Sequence, residues 1–169
     1  SAAAYDFNLE GGDVTDAIYE AMKVRFNNFA TQSYIDGDLK VIAKEYCYLG
    51  CDAFFFPHNF EGALAVEVEE VRADELKLTA KHPADIMSSD VAFMDTVYLK
   101  YDDALWKVDR VNYEEITLAL TQEQAKQIAT DWGYTNPQFV EARDGSFIFK
   151  ADGMTLSVNK ETGFVEEGA

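Results

Sequence analysis

The sequence predicts an α+β protein in which helices pack on antiparallel sheets. Three observations lead to this class. Apolar residues recur at helical spacing near the N-terminus, they alternate with polar residues in the middle of the chain, and the last fifty residues combine a capped helix with Asp-Gly turns. The 169 residues suffice for one large domain or two small ones, and 48% hydrophobic residues suffice for a core.

The first two elements are predicted to be helices. Asp13 is the expected N-cap, and apolar residues at three- and four-residue spacing run from Val14 to Phe29. A turn-rich stretch at residues 34–38 follows, and a second helix is expected from about Asp38 to Tyr48. The apolar side of that helix consists of Leu39, Ile42, Ala43 and Tyr46.

The segment from Leu49 to Gly62 is predicted to be an apolar loop, because Pro57 argues against a continuing helix. Its aromatic residues either plug one end of the core or form the rim of a pocket. A single histidine in such a loop is a hydrogen-bonded structural residue or, alternatively, a general base. The candidate ligand-binding residues are Tyr46, Phe54, Phe56, His58 and Phe60.

Cys47 and Cys51 are the only cysteines, and they stand four residues apart. This spacing fits two reduced, half-buried thiols, whereas a disulfide would need a distorted helix or a loop. A zinc site would need two more ligands, and the only histidines are His58 and His82. We predict no metal site, and the state of the two thiols stays open.

A hairpin is predicted between residues 64–69 and 76–80, because apolar and polar residues alternate there. Its valines are expected to face the core, while Glu67 and Glu69 form a solvated face. The turn of this hairpin falls at residues 72–74.

Two more strands are predicted at residues 91–101 and 105–111, joined by a polar turn. In the loop that precedes them, His82 is expected to be solvated. Residues 112–120 form a further strand or an extended connector, because every second residue from Ile116 is apolar.

The last third of the chain carries the clearest local signals. Thr121 and Gln124 have the spacing of a capping box and begin a helix that ends at Gly133. Two Asp-Gly dipeptides, at 144–145 and 152–153, predict tight hairpin turns between short strands. The buried side of the helix is Ala125, Ile128, Ala129 and Trp132, and the strands are expected at 139–143, 146–151 and 154–159, before a last turn into Phe164-Val165.

These residues resemble a PepSY module. The match runs from Leu120 to Val165: the helix begins with the pattern T-x-E-Q-A-x-x-I-A at Thr121, and the chain closes with N-K-E-T-G-F-V from Asn159. Trp132-Gly133-Tyr134 departs from any fixed pattern of the family. Such modules occur in protease propeptides and in secreted or envelope-anchored proteins, so the resemblance implies binding or inhibition of a peptidase.

The preceding part is similar, more weakly, to the NTF2-like or cystatin-like α+β group. The likeness rests on the order of helices and strands and on the segment VYLKYDDALWKVDRV at residues 97–111. It implies a pocket under a bent sheet. We therefore expect an NTF2-like or cystatin-like domain at residues 13–116 and a PepSY-like helix plus β-meander at residues 117–169, packed closely on the first.

The balance of charge restricts the partner. Fourteen basic residues stand against 31 acidic ones, which gives a formal net charge of −17. Such a field repels phosphate backbones and anionic lipid, so we expect no nucleic acid and no membrane-surface partner. The acidity serves solubility or attracts a basic or cationic partner, including metal ions. No run reaches the roughly 18 apolar residues that a spanning helix needs.

Function is predicted from these resemblances and from the lack of a catalytic constellation. No serine or cysteine stands in a nucleophile motif, no glycine-rich phosphate loop is present, and no cofactor is predicted. The leading hypothesis is a non-enzymatic binding protein of the bacterial envelope or exterior, whose partner is a protein or peptide and which modulates a peptidase in one form of the hypothesis. It expects a signal or lipid anchor removed ahead of Ser1, with a cytoplasmic location as the alternative. Two alternatives are a small pocket-bearing enzyme or apolar-ligand carrier and a structural or assembly subunit.

Overall fold

The computed structural model describes residues 14–46, 60, 62–85 and 90–168. These residues form two four-stranded antiparallel sheets with the orders β1-β2-β3-β4 and β5-β6-β7-β8, so neighbours in each sheet are also neighbours in sequence. The predicted α+β class is confirmed. The elements are α1 Asp16–Lys23, α2 Gln32–Asp36, α3 Asp38–Tyr46, β1 Ala65–Arg72, β2 Glu75–His82, β3 Phe93–Asp102, β4 Leu105–Glu115, α4 Gln122–Asp131, β5 Gln138–Arg143, β6 Ser146–Ala151, β7 Met154–Asn159 and β8 Val165–Glu167.

The chain divides into two compact units, and neither is continuous in sequence. The first unit joins the N-terminal helices with Glu69–Lys77 and Val97–Val111. The second joins the described parts of Asn59–Val68, Leu78–Thr96 and Asn112–Ala169. The predicted division into domains at 13–116 and 117–169 concerns pieces that fold separately, and it stays a prediction.

Helix α1 begins two residues later than the predicted cap implies. The N-cap is Thr15, whose backbone is extended and whose hydroxyl accepts a hydrogen bond from the Ile18 N–H at 3.3 Å. Asp13, the cap expected from the sequence, lies outside the described residues. The helix also ends at Lys23, so the prediction that it continues toward Phe29 is wrong. Residues beyond its end form turns, and Phe29 is exposed.

The turn-rich stretch contains a short helix that sequence patterns missed. Thr31 caps α2: its hydroxyl accepts from the Tyr34 N–H at 3.3 Å and donates to the Asp109 carboxylate at 2.9 Å. Tyr34 and Ile35 are buried, and the Tyr19 hydroxyl donates to the Ile35 carbonyl. The core of the first unit is Val14, Tyr19, Met22, Ala30, Tyr34, Ile35, Leu39 and Ala43.

Strand β1 contradicts the predicted burial of its valines. Val66 is 47% exposed and Val68 is 64% exposed, as are all the other residues of the strand to comparable degrees. The strand lies at the edge of its sheet, and the hairpin with β2 confirms the predicted pairing. The alternation in sequence predicted one buried face, but among the residues that the structure describes both faces of β1 are exposed.

His82 is buried, so the prediction that it is solvated is wrong. It is 6% exposed, its ring stacks on Phe93 at 4.7 Å between centroids, and its Nε2 lies 3.6 Å from Oδ2 of the buried Asp95. The reason is that β2 continues through His82, whereas the sequence suggested that a loop begins at Lys81. An extra two residues of strand turn the histidine toward the interior of the second unit.

The C-terminal elements agree with the sequence prediction. Thr121 and Gln124 form the capping box, with both reciprocal hydrogen bonds present. Both Asp-Gly turns have positive φ at each central residue, as type I′ geometry requires. Helix α4 packs on the second sheet around a core of Leu118, Leu120, Ala125, Ile128, Ala129, Phe149, Ala151, Leu156, Val158 and Val165, together with Ala92.

Candidate functional site

The second unit contains a groove of about 490 Å³. Its walls come from the N-terminal end of β1, from single residues of β2 and β3, from the extended segment before α4, and from the first turn of α4. A groove of this volume falls in the range of small-ligand and peptide sites. Its described lining residues are Leu64, Ala65, Lys81, Met94, Ile116, Thr117, Leu118, Ala119, Leu120 and Gln124.

The extended segment of residues 116–120 forms one long side of the groove. Every second backbone N–H of this segment donates to a backbone carbonyl. Ile116 donates to the carbonyl of Ala92 at 2.9 Å. Leu118 donates to that of Glu161 at 2.7 Å, and Leu120 to that of Lys160 at 3.1 Å. The side chains of Leu118 and Leu120 are buried in the core. Its backbone is therefore fixed in an extended conformation, although it pairs with no strand of the two described sheets.

The backbone N–H and C=O groups of Thr117 and Ala119 form the opposite edge of this extended segment. Successive residues of an extended chain turn their N–H and C=O groups to opposite sides, so these two residues point away from the bonded side. Within the described residues, their N–H and C=O groups have no hydrogen-bond partner. Both residues are exposed and line the groove. The geometry therefore offers two donors and two acceptors to an added strand.

The remaining groove residues supply apolar surface and one cation. Leu64, Met94 and Ile116 are partly buried and provide apolar wall. The backbone of Leu64 is fixed by a hydrogen bond from its N–H to the Lys81 carbonyl at 2.8 Å. Lys81 itself is exposed, and across the described part of the chain its ammonium makes no ion pair. This lysine is the only charged residue among those that line the groove in the described part of the chain.

Gln124 lines the groove from the first turn of α4 and is part of the capping box. Its Oε1 accepts from the Thr121 N–H at 3.0 Å and lies 3.1 Å from the Thr121 hydroxyl. These contacts hold the amide against the start of α4. Gln124 is therefore a polar residue of the groove that the capping box holds in place.

The aromatic site predicted from the sequence lies mostly outside the described residues. This holds for Phe54, Phe56 and His58, and for the side chain of Tyr46, whose backbone ends α3. Phe60 is described: it is partly buried at a bend, and its carbonyl accepts from the Ala63 N–H at 3.2 Å. It is not among the residues that line the groove. A ligand site built on these five residues stays a prediction.

The groove residues were missed because no motif marks them. The alternation from Ile116 to Leu120 does predict an extended segment, and the structure has one that is not part of a sheet. Nothing in that alternation shows that one backbone edge is paired and the other is open. That difference depends on where Glu161 and Ala92 lie in the folded unit.

The described residues were also compared with the requirements of metal sites, membrane-spanning helices and further pockets. No group of three or more His, Cys, Asp or Glu that could hold a metal ion occurs among the described residues. No helix in the described ranges is long and apolar enough to cross a membrane. A second depression, of about 440 Å³, lies beside Met154, Thr155, Glu167 and Gly168. It is shallower than the groove.

The two largest pKa shifts belong to groups of the first unit, and neither group lines the groove. Burial, with smaller effects of the Asp38 carboxylate and of Tyr19, raises the pKa of Tyr34 to about 12. Hydrogen bonds from Lys44 and Lys40 lower the pKa of Asp16 to about 2. Both shifts have structural causes, so neither indicates a catalytic group at the groove.

Comparison of the chain with protein-family models, with curated proteins and with solved structures finds no match. The fold and the groove therefore define the class: an α+β protein with two antiparallel meanders and an open strand-like edge.

Proposed function

We propose that this chain is a non-enzymatic binding protein that takes an extended segment of a protein or peptide into the groove of the second unit. The observation that carries the proposal is the open backbone edge at Thr117 and Ala119. An extended peptide laid along this edge gains main-chain hydrogen bonds, and its alternate side chains meet the apolar wall. Exposed edges of this kind readily accept an added strand.

The fixed backbone of the extended segment at residues 116–120 supports the same proposal. Because Leu118 and Leu120 are bonded and buried, the edge needs no ordering when a peptide arrives. A preformed edge avoids much of the entropy cost of binding. The length of the edge also limits the contact: the Cα atoms of Thr117 and Ala119 are separated by about 6.8 Å in an extended chain, so three to five peptide residues would be engaged.

We also propose a cellular compartment and a family for each part of the chain. The PepSY-like resemblance of Leu120–Val165 supports a role in the bacterial envelope or exterior, with modulation of a peptidase as one form of it. The NTF2-like or cystatin-like assignment of residues 13–116 is proposed on the order of elements and on the short segment at residues 97–111. Fractionation of the native cell tests the compartment: we expect the protein in the envelope or medium, and recovery from the cytosol would contradict it.

Hydrogen exchange with a selected peptide tests the binding mode. Random dodecapeptides displayed on phage are selected against the full chain, and an enriched peptide is synthesised for amide exchange by NMR. In the free protein, the amides of Thr117 and Ala119 should exchange quickly and those of Leu118 and Leu120 slowly. With peptide bound, the amides of Thr117 and Ala119 should become protected, while the other pair serves as the internal control.

A substitution at the edge provides the second test. Ala119→Pro removes one donor and places a ring in the path of the added strand, so the affinity should fall about tenfold or more. Ala119→Val keeps the amide and is the matched control, and thermal unfolding verifies that both variants are folded. The absence of any enriched peptide, or equal affinity for the proline variant, would refute the proposal.

A further inference from the structure

We infer that the segment bound in the groove carries a carboxylate, from an Asp or Glu side chain or a C-terminus, that pairs with Lys81. This inference rests on the proposed function and specifies the partner's chemistry. The groove has one cation, Lys81, and no carboxylate among its described lining residues. The expected partner is therefore an extended segment with one acidic group and apolar neighbours.

The pairing of other cations in the chain supports this assignment. Carboxylates outnumber basic side chains by 31 to 14, and many of the described cations are already paired. Lys107, for example, lies 3.0 Å from Asp102 and 3.1 Å from Asp103. Lys81 is one of several lysines without an ion pair in the described part of the chain, and it is the one that lines the groove. A ligand carboxylate would supply the counter-charge that the fold does not.

The net charge of −17 does not oppose an acidic group in the groove. At physiological ionic strength, charges separated by more than about 8 Å are largely screened. Lys81 is the one charged side chain among the described residues that line the groove, so it acts on a bound carboxylate at contact distance, while the overall field acts on the rest of the partner. We expect a bound segment with a single carboxylate inside an otherwise neutral or basic sequence, which reconciles the local and the overall charge.

The apolar wall fixes the context of that carboxylate. Leu64, Met94 and Ile116 line the same groove as Lys81, and an added strand turns successive side chains to opposite faces. A bound segment therefore combines the acidic group with at least one apolar side chain that lies against this wall. A small apolar ligand alone would leave both Lys81 and the open backbone edge without a partner.

Peptide selection with charge reversal tests the inference. Random dodecapeptides are selected in parallel on the wild-type chain and on Lys81→Glu. Wild type should enrich Asp or Glu at one position, and the variant should enrich Lys or Arg at that position. For a peptide selected on wild type, replacing the acidic residue by its amide should weaken binding about five- to tenfold, with a smaller effect at high salt.

Lys150→Met is the matched control for Lys81→Met, because Lys150 is an exposed lysine of the same unit that does not line the groove. Lys81→Met should lose the five- to tenfold preference for the acidic peptide, and Lys150→Met should keep it. If peptides protect the amides of Thr117 and Ala119 but bind Lys81→Met equally well, the carboxylate inference is overturned and strand addition stands. If no peptide protects these amides, both fall.

Discussion

The two sheets of this protein have the same number of strands and the same sequential order, but they are stabilised differently. In the second sheet, Asp-Gly turns join β5 to β6 and β6 to β7, and α4 packs over the central strands β6 and β7. In the first sheet, the β3–β4 turn is Asp103-Ala104, with φ values of 50° and 64°, and burial is concentrated at one end of β2 and β3. The same topology can thus be reached with turn residues that suit the backbone or with one that does not.

The difference shows where local sequence rules apply. In the second sheet, turn, cap and apolar stripe all favour one structure, and the sequence predicts it closely. In the first sheet, Ala104 occupies a left-handed conformation that costs an alanine about 1–2 kcal/mol. The neighbouring strands must compensate for that cost.

The largest expected effect is at Gly163, in the last turn of the second sheet. An added Cβ would lie 2.6 Å from the Pro83 Cβ, and φ is +78°. Gly163→Ala should therefore lower the free energy of unfolding by about 3 kcal/mol, from overpacking and backbone strain together. Urea unfolding followed by circular dichroism measures the loss.

Gly145→Ala is the control for that measurement. Gly145 also has positive φ, but nothing lies within 4 Å of an added Cβ. Its alanine variant should lose only about 1 kcal/mol, because strain acts without overpacking. Equal losses at the two glycines would show that the contact with Pro83 does not constrain the turn.

The second prediction concerns alkaline pH and the first unit. Burial raises the pKa of Tyr34 from 10.0 to about 12, so the folded state keeps the phenol proton when the unfolded state has lost it. The stabilisation is complete below pH 10 and is lost as the pH rises from about 10 through 12, by on the order of 2 kcal/mol. Unfolding of wild type and of Tyr34→Phe at pH 8 and pH 11 measures it. A Tyr34→Phe variant that weakens as steeply as wild type would contradict this cause.

The third prediction compares two helix caps. Thr121 and Gln124 satisfy each other's backbone N–H groups, whereas Thr15 forms only the one-way contact with Ile18. Thr121→Ala should cost about 1 kcal/mol and Thr15→Ala about half as much. Chemical unfolding of the two variants gives the comparison, and a larger loss at Thr15 would reverse it.

The smallest effect is expected at the strained turn of the first sheet. Ala104→Gly should raise the free energy of unfolding by about 0.5 kcal/mol, because relief of left-handed strain exceeds the entropy that glycine adds to the unfolded chain. The sign is opposite to that of Gly145→Ala, which makes the pair a direct test of the comparison. Destabilisation by Ala104→Gly, in the same urea assay, would show that the alanine side chain stabilises this turn.

The sequence predicted the C-terminal third in detail and the candidate site hardly at all. Thr121, Gln124 and the two Asp-Gly dipeptides act on neighbours within four residues, so their effect is encoded locally. Extended backbone at Ile116–Leu120 was also indicated by alternation. The open edge at Thr117 and Ala119 was not, because it depends on partners about 25 to 45 positions away.

Sequence alone determined the α+β class, the pairing of the hairpins and the turn geometry of the second sheet. Tertiary structure decided that β1 lies exposed, that His82 is buried beside Asp95, and that the groove has one paired and one open edge. The physical reason is the separation in sequence between the residues that interact. Capping and turn preferences arise from the backbone of adjacent residues, whereas burial and hydrogen-bond pairing depend on which distant segment covers a side chain or an amide.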